Sequence, residues 1–261
     1  MDMRGQRVLI TGASQGLGEA LAREFAGRGA EVALAARSAS AIEALAIELR
    51  GTAYTVDLSD GDQVDGFIER VEMDGQLDIL VNNAGMGLFA LLDDTDASTI
   101  DQLTAVNLTS PLKLCAQILP GMIARGSGRL VQIASLGGIL PMAATSVYAA
   151  SKAGLIAASA NLQIELQGTG VGVTTVHLGA VDTVMAEDAM TTDALRPYFD
   201  RMDKIGMTKR MDPAKAAGAI VDGVVKEKRD LVVPKNGLPV TGLSNVPRRM
   251  GRLLARGLPV H

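Results

Sequence analysis

The chain has 261 residues, of which 48% are hydrophobic and 21% are charged, and its formal net charge is -4. This length is close to the upper size of one hydrophobic core, so we expect a single domain over residues 1–261, with the composition of a globular α/β protein. The charge gives no reason to expect a nucleic-acid partner. The single cysteine, Cys115, excludes an intrachain disulfide and is interpreted as a core residue. Because no signal-like or membrane-length apolar segment stands out, we expect a cytoplasmic protein.

The first motif is a glycine-rich turn between a strand and a helix. Residues 7–10 form a short apolar segment, and T-G-A-S-Q-G-L-G follows at positions 11–18. Leu17, Leu21 and Phe25 then repeat at helical spacing. A turn of this kind points backbone amides at a phosphate, and the dipole of the following helix favours an anion. The spacing is G-x-x-x-G-x-G and not the commoner G-x-G-x-x-G.

Apolar segments rich in valine and leucine alternate with helical patterns along the chain. The predicted strands cover residues 7–10, 31–36, 52–56, 77–81, 129–134, 171–176 and 230–234. This alternation predicts a parallel sheet with helices on both faces. Ligands in such sheets bind beyond the carboxyl ends of the strands. Arg37, Asp57, Asn82 and Ser135 stand at four of these ends, so we expect them near a ligand.

Tyr148 and Lys152 form the pair with the most direct chemical meaning. At positions i and i+4 of a helix they share one face. A phenol working near pH 7 needs its pKa lowered by ~3 units, or about 4 kcal/mol. A nearby ammonium supplies roughly 3–4 kcal/mol at an effective dielectric near 20, so the pair could form an acid/base catalyst in a partly dry site. The alternative is an ordinary surface pair on an alanine-rich helix.

Asn107 lies in the middle of a helix predicted over residues 96–124. A buried asparagine there needs partners, since an unpaired polar group costs about 1–3 kcal/mol. The alternative for Asn107 is a solvent-facing residue. His177, near the end of the sixth strand, is interpreted as a packed or capping residue.

Together these features resemble the short-chain dehydrogenase/reductase family. The resemblance rests on T-G-x-x-x-G-x-G, Asn82-Asn83-Ala84-Gly85, Asn107, Ser135, Tyr148-x-x-x-Lys152 and the segment 179–183. It covers residues 7–235 and implies a single-domain Rossmann fold, a doubly wound parallel seven-stranded sheet in the order 3-2-1-4-5-6-7. It also implies an NAD(P)-dependent oxidoreductase.

The resemblance assigns a catalytic role to each member of a tetrad. Tyr148 would be the acid/base, and Ser135 would hold the carbonyl oxygen. Lys152 would hold the nicotinamide ribose and lower the pKa of the tyrosine, and Asn107 would position a water in a proton relay. No metal-binding residue is expected.

The same resemblance, together with the glycine turn and the strand ends, gives the predicted cofactor-binding residues. They are Gly12, Ser14, Gln15, Gly16, Leu17, Gly18, Arg37, Ser38, Asp57, Leu58, Asn83, Ala84, Gly85, Tyr148, Lys152, Gly179, Val181 and Thr183. One departure stands next to this set, since Leu178 replaces the proline that relatives usually have. Without a proline at this position, we expect the start of the following loop to be looser.

The end of the second strand predicts the choice of cofactor. An Asp or Glu about 20 residues beyond the glycine turn would bind the ribose 2′-hydroxyl of NAD, but this chain has Ala36, Arg37 and Ser38 there. Arg37 offers a charged donor fork for a 2′-phosphate, with Ser38 and Ser14 as further donors. We therefore predict that NADP is preferred over NAD. Asp57 is assigned to the adenine amine.

Two segments bear on substrate and partners. Residues 184–211 resemble the substrate lid of the family and are rich in methionine, which suits a small apolar carbonyl or alcohol substrate. Residues 236–261 form a basic amphipathic tail that covers its own subunit or a neighbour, with contact to a membrane surface as the less favoured alternative.

A homo-oligomer is expected, with a dimer through the helices near residues 96–124 and 145–167 as one arrangement.

The function predicted from the sequence is hydride transfer between NADP and an apolar ketone, aldehyde or secondary alcohol. Two alternatives remain open. One is a dinucleotide-sensing protein without turnover, which would have no need of Tyr148 and Lys152 together. The other is an epimerase or dehydratase that uses the cofactor without net consumption.

Overall fold

The computed structural model describes residues 1–192, 195–196, 200–201, 203 and 210–235. Seven parallel strands form one sheet in the order β3-β2-β1-β4-β5-β6-β7. The strands are β1 Arg7–Thr11, β2 Glu31–Ala36, β3 Thr52–Thr55, β4 Ile79–Asn82, β5 Gly128–Ser135, β6 Val171–Leu178 and β7 Asp230–Val233. The helices are α1 Gly16–Gly27, α2 Ala39–Leu49, α3 Gly61–Val64, α4 Phe67–Glu72, α5 Ala97–Thr104, α6 Ser110–Ala124, α7 Ser146–Glu165, α8 Val184–Thr191 and α9 Pro213–Val225. This is the doubly wound Rossmann topology that the sequence predicted.

The core has two layers, one on each face of the sheet. Side chains of a strand alternate between the two faces, so Val8 and Ile10 pack into one layer and Leu9 into the other. Helices α1, α2 and α9 cover the first layer around Phe25, and α4 and α6 cover the second around Phe67. Both faces are therefore dry, which is why the strands read as continuous apolar runs.

The long helix predicted over residues 96–124 is not continuous. Helix α5 ends at Thr104, a π-helical turn covers Ala105–Thr109, and α6 begins at Ser110. The prediction was wrong here because apolar spacing does not reveal a wide turn inserted between two helices. Single π turns of this kind are frequent at functional sites.

Smaller differences concern the ends of elements. Strands β5 and β6 run on to Ser135 and Leu178, beyond their predicted ends. The short helices α3 and α4 between β3 and β4 were not predicted. At the start of α9, the Asp212 carboxylate accepts a hydrogen bond from the Lys215 amide at 3.1 Å and Pro213 is the first helical residue.

Two predicted segments are only partly described. Of the lid, the structure describes α8 and residues 192, 195–196, 200–201, 203 and 210–211. The remaining lid residues and the whole tail, 236–261, lie outside the described residues. Within the described part, no helix is long and apolar enough to span a bilayer.

Candidate active site

The glycine turn lies against the loop that follows β4. A Cβ atom at Gly12, where φ is +66°, would lie 2.8 Å from the Cα of Ala84. A Cβ atom at Gly18 would lie 2.0 Å from the Gly12 carbonyl oxygen. Gly12 and Gly18 are therefore fixed by close approach of the backbone. Gly16 also has a positive φ, but a Cβ atom there would have more room, since the nearest atom that it meets among the described residues is the Thr183 Cγ2 at 3.4 Å.

Thr11 and Asn83 tie the ends of β1 and β4 together. The Thr11 hydroxyl oxygen accepts hydrogen bonds from the amides of Asn83 and Ala84, both at 3.0 Å. The Asn83 side-chain amide donates to the carbonyls of Thr11 at 2.9 Å and Gly12 at 3.3 Å. Sequence reasoning missed the role of Thr11, although the residue opens the glycine motif.

Asn82 was expected near a ligand because it ends a strand, but its side chain is buried inside the protein. Its side chain is 2% exposed and donates to Gln132 at 3.1 Å and to the Pro111 carbonyl at 3.3 Å. It belongs to a buried polar group with Cys115, whose pKa is raised to about 12 by burial. The interpretation of Cys115 as a core residue is therefore confirmed.

Asn107 lies in the π turn and is fully buried. Its side chain bonds both backbone groups of Met86, accepting from the amide at 2.8 Å and donating to the carbonyl at 2.9 Å. It also donates to the Ser151 hydroxyl at 3.1 Å, which in turn donates to the Tyr148 carbonyl at 2.7 Å. The asparagine is thus buried and fully paired. Ser151, which sequence reasoning missed, connects it to the helix that carries Tyr148.

Tyr148 and Lys152 lie on α7 and face the end of β5. The Lys152 ammonium donates to the Ile133 carbonyl at 3.0 Å, and burial lowers the pKa of Lys152 to about 8. The Tyr148 pKa is raised because burial disfavours the phenolate, and the Ser135 hydroxyl beside it offsets part of this effect. The net shift of the Tyr148 pKa is therefore upward because of burial, and a lowering of this pKa by Lys152 stays a prediction.

These residues line one cavity of about 640 Å³ along the carboxyl edge of the sheet. All of the predicted catalytic and cofactor-binding residues border it except Asn107, which lies behind it. Its walls near Tyr148 are apolar and include Phe89, Met142, Met185 and Ala189. The ring of Phe89 lies 6.1 Å from that of Tyr148, centroid to centroid. Sequence reasoning missed Phe89 and Met142, which no motif marks.

The opposite end of the cavity is formed by the ends of β2 and β3. Arg37 and Ser38 are exposed and border the cavity. In the part of the chain that the structure describes, the Arg37 side chain makes no hydrogen bond or ion pair. The Asp57 carboxylate is held by the Ser59 amide and hydroxyl, at 2.8 and 2.7 Å.

The loop after β6 follows Leu178, which is itself paired within the sheet. Leu178 pairs with Ser135 and Val233 on the neighbouring strands, and the Gly179 amide donates to the Val233 carbonyl at 2.7 Å. The sheet therefore holds the start of this loop, while the looseness expected without a proline at Leu178 stays a prediction. His177 is fully buried, 3.6 Å from the Asp230 carboxylate, and is packed as interpreted.

The chain is similar to known dehydrogenases and reductases along most of its length. A family model described as short chain dehydrogenase matches residues 6–194. The chain is 32% identical to the probable oxidoreductase EphD of Mycobacterium tuberculosis, over 95% of this chain and 44% of that protein. It is 33% identical to the ketoacyl reductase HetN of Nostoc sp., over 92% of this chain and 81% of that protein. A solved short-chain dehydrogenase from Sphingobium yanoikuyae in complex with NADPH superposes with a TM-score of 0.82 at 28% identity, covering 97% of this chain and 98% of that one.

A seven-stranded doubly wound sheet with a glycine turn after β1 defines a Rossmann-type protein. The chain belongs to the short-chain dehydrogenase family, as its motifs predicted. It spans 44% of the length of the mycobacterial relatives that it matches.

Proposed function

We propose that this protein is an NADP-dependent oxidoreductase that reduces a neutral, apolar ketone or aldehyde, or oxidises the corresponding secondary alcohol. The observation that carries the proposal is that Ser135, Tyr148 and Lys152 border the same cavity as the glycine turn. An acid/base group, an oxygen anchor and a phosphate cradle are thus within one continuous space. This is the arrangement that a dinucleotide-dependent carbonyl reduction requires.

The residues present fit a nicotinamide dinucleotide. Gly12 and Gly18 have no room for a Cβ atom, so the turn that joins β1 to α1 keeps its amides close to the cavity. Arg37 and Ser38 would hold the adenosine end, and Val181, Thr183 and Lys152 the nicotinamide end. When bound, the nicotinamide supplies or accepts the hydride.

The side chains at the other end perform the proton chemistry. The Ser135 hydroxyl and the Tyr148 phenol hold the substrate oxygen, and the phenol donates a proton to it during reduction. A raised Tyr148 pKa keeps the phenol protonated at neutral pH, so the proton is present for reduction, but a pKa above the operating pH lowers the driving force for its transfer. The Lys152 ammonium stabilises the phenolate that proton donation leaves, and Asn107 holds the π turn where a relay water would bind.

The surroundings of the cavity favour an uncharged substrate. Phe89, Met142 and Met185 provide apolar walls, and thioether chains adapt to irregular shapes. Arg210, which borders the cavity, is paired with Asp182 at 2.9 Å. The name of the relative HetN refers to a ketoacyl group, which supports carbonyl reduction but does not identify the substrate here.

Substitution Tyr148→Phe tests the reaction. We expect turnover of ketones with NADPH to fall by about 10²–10⁴-fold, the usual contribution of a general acid, with NADPH affinity changed by only a few-fold. The measurement is NADPH absorbance against a panel of apolar ketones, with cofactor affinity from fluorescence titration.

Tyr54→Phe is the matched control. It removes the same hydroxyl from a tyrosine that contacts Arg7 and Asp74 and does not border the cavity, so its kinetics should match the wild type. Near-normal turnover by Tyr148→Phe would refute the assignment. A wild type that binds NADPH but turns over no ketone would favour the dinucleotide-sensing alternative.

The proposed preference for NADP rests on the end of β2. Arg37 is exposed at the cavity, with Ser38 beside it, and no carboxylate lies at positions 36–38. Since a charge-assisted hydrogen bond contributes roughly 1.5–3 kcal/mol, we expect NADP to be favoured over NAD by about 10- to 100-fold in kcat/KM.

The double variant Ala36→Asp/Arg37→Ala should reverse this preference, because it places a carboxylate where the ribose 2′-hydroxyl of NAD would bind. The measurement is kcat/KM for both cofactors at one ketone concentration. Arg50→Ala, at the far end of α2, is the control for loss of an exposed arginine. Equal use of both cofactors by the wild type, or a double variant that still prefers NADP, would show that Arg37 is not the selector.

A further inference from the structure

Exposed apolar side chains are concentrated at the mouth of the cavity. Seven large hydrophobic residues are exposed in the described part of the chain, and four of them are Leu91, Leu92, Val184 and Met190. Leu91 and Leu92 follow the cavity residue Phe89, while Val184 and Met190 border the cavity themselves. These four residues are called the rim below. Apolar residues gathered around an opening mark a surface that binds something apolar.

The two stretches that carry the rim are also acidic. Residues 86–101 contain four aspartates and no lysine or arginine, and residues 183–192 contain Glu187 and Asp188 and again no basic residue. All six carboxylate residues are exposed. A ligand of the rim should therefore be apolar and positively charged.

We propose that the rim binds the C-terminal segment of the same chain, residues 236–261. After Lys235 this segment contains no acidic residue, and its four arginines alternate with apolar residues. The arginines are Arg248, Arg249, Arg252 and Arg256, and the apolar residues among them are Met250, Leu253 and Leu254. Its sequence is thus complementary to the rim in both hydrophobicity and charge.

The place where the segment begins supports binding within one chain. Pro234, next to the end of β7, borders the cavity, and its Cδ would lie 3.1 Å from a Cβ atom at Gly179. The described part of the chain therefore ends, at residue 235, beside the cavity. Bound to the rim, the segment covers the exposed leucines, since arginine stems cover apolar surface while their charged ends meet carboxylates.

Chemical cross-linking of the full-length chain tests this proposal without any assay of turnover. Ala97→Cys, on the exposed first turn of α5 beside the rim, is combined with Gly251→Cys in the segment. Cys115 is buried, so a short bismaleimide reagent joins the two introduced thiols. Residues 236–251 can extend over at most about 55 Å, so by length alone the segment could also reach other faces of the domain. A cysteine at Ile47, which is 81% exposed on α2, is therefore the control.

We expect a cross-link within one chain that forms several-fold faster from Ala97→Cys than from Ile47→Cys. The charge reversal Glu187→Lys/Asp188→Lys should slow it several-fold, and adding Arg248→Glu/Arg249→Glu to that variant should restore the rate. Glu43→Lys/Glu69→Lys, on α2 and α4, should leave it unchanged. Equal rates at Ala97 and Ile47, links that join only two separate chains, or a rate that ignores the charge reversal would each overturn the proposal.

Discussion

At the scale of single residues, burial governs the proton chemistry of the proposed site. Both Tyr148 and Lys152 have pKa values moved toward the neutral form, because taking a charge out of water is costly. The pKa of Tyr148 lies above its ordinary value, so the phenol keeps its proton across the physiological range. The pKa of Lys152 is lowered to about 8, so the ammonium is the group that loses its proton first as pH rises.

We therefore predict that kcat/KM for ketone reduction with NADPH falls as the pH rises through about 8. Lys152 is charged below this pH and neutral above it, whereas Tyr148 stays protonated in both ranges. The measurement is a pH–rate profile at low substrate concentration, which reports the ionisations of the free enzyme. Lys152→Arg should move the falling limb to higher pH, since a guanidinium stays charged.

A limb that keeps its position in Lys152→Arg would assign the ionisation to another group. Lys228→Arg is the matched control, since it makes the same substitution far from the cavity, at the turn before β7. Its profile should coincide with that of the wild type.

At the scale of elements, the π turn shows what the sequence could not predict. The spacing of apolar residues indicated helix on both sides of Asn107, and helix is found there. Within the wide turn, Asn107 bonds Met86 and Ser151, which are 21 and 44 residues away. No local pattern contains that information. For the same reason Thr11 and Phe89 were missed, since their importance comes from contacts across the sheet edge.

Asn107→Ala should lower both stability and turnover. The substitution leaves the two backbone groups of Met86 and the Ser151 hydroxyl without this partner, and an unpaired buried polar group costs about 1–3 kcal/mol. We expect the free energy of unfolding to fall by about 2–4 kcal/mol and kcat to fall more than KM rises. Urea unfolding and steady-state kinetics measure the two effects.

Asn161→Ala is the control and should change neither quantity, since this exposed side chain on α7 bonds, among the described residues, only the Ala157 carbonyl. Wild-type stability in Asn107→Ala would mean that the π turn is held by its own backbone and not by this side chain.

At the scale of the whole molecule, the parallel topology explains why the site was largely predictable. Parallel strands present their carboxyl ends at one edge, so residues that follow different strands converge there whatever their separation in sequence. The glycine turn after β1, Arg37 after β2, Asp57 after β3, Asn83 after β4 and Ser135 at the end of β5 all reach the same cavity. The family resemblance therefore predicted the strand order, and the strand ends predicted much of the cavity lining, while the exact hydrogen-bond partners were not predicted.

This convergence predicts that cofactor binding stabilises the entire domain. A ligand that contacts the ends of β1 to β6 binds only the folded chain, and at 100 times its Kd it adds about 2.7 kcal/mol. For a domain of this size, that corresponds to a rise in Tm of about 5–11 °C. NADPH at a fixed concentration should therefore raise Tm more than NADH at the same concentration, because the proposed preference for NADP implies a lower Kd for NADPH. In Arg37→Ala the NADPH shift should fall to about that of NADH, while the NADH shift stays as in the wild type.

Tyr148→Phe should keep both shifts, which separates binding from turnover. Differential scanning fluorimetry measures all of these, and a wild type whose Tm responds equally to both cofactors would exclude Arg37 as the residue that distinguishes them.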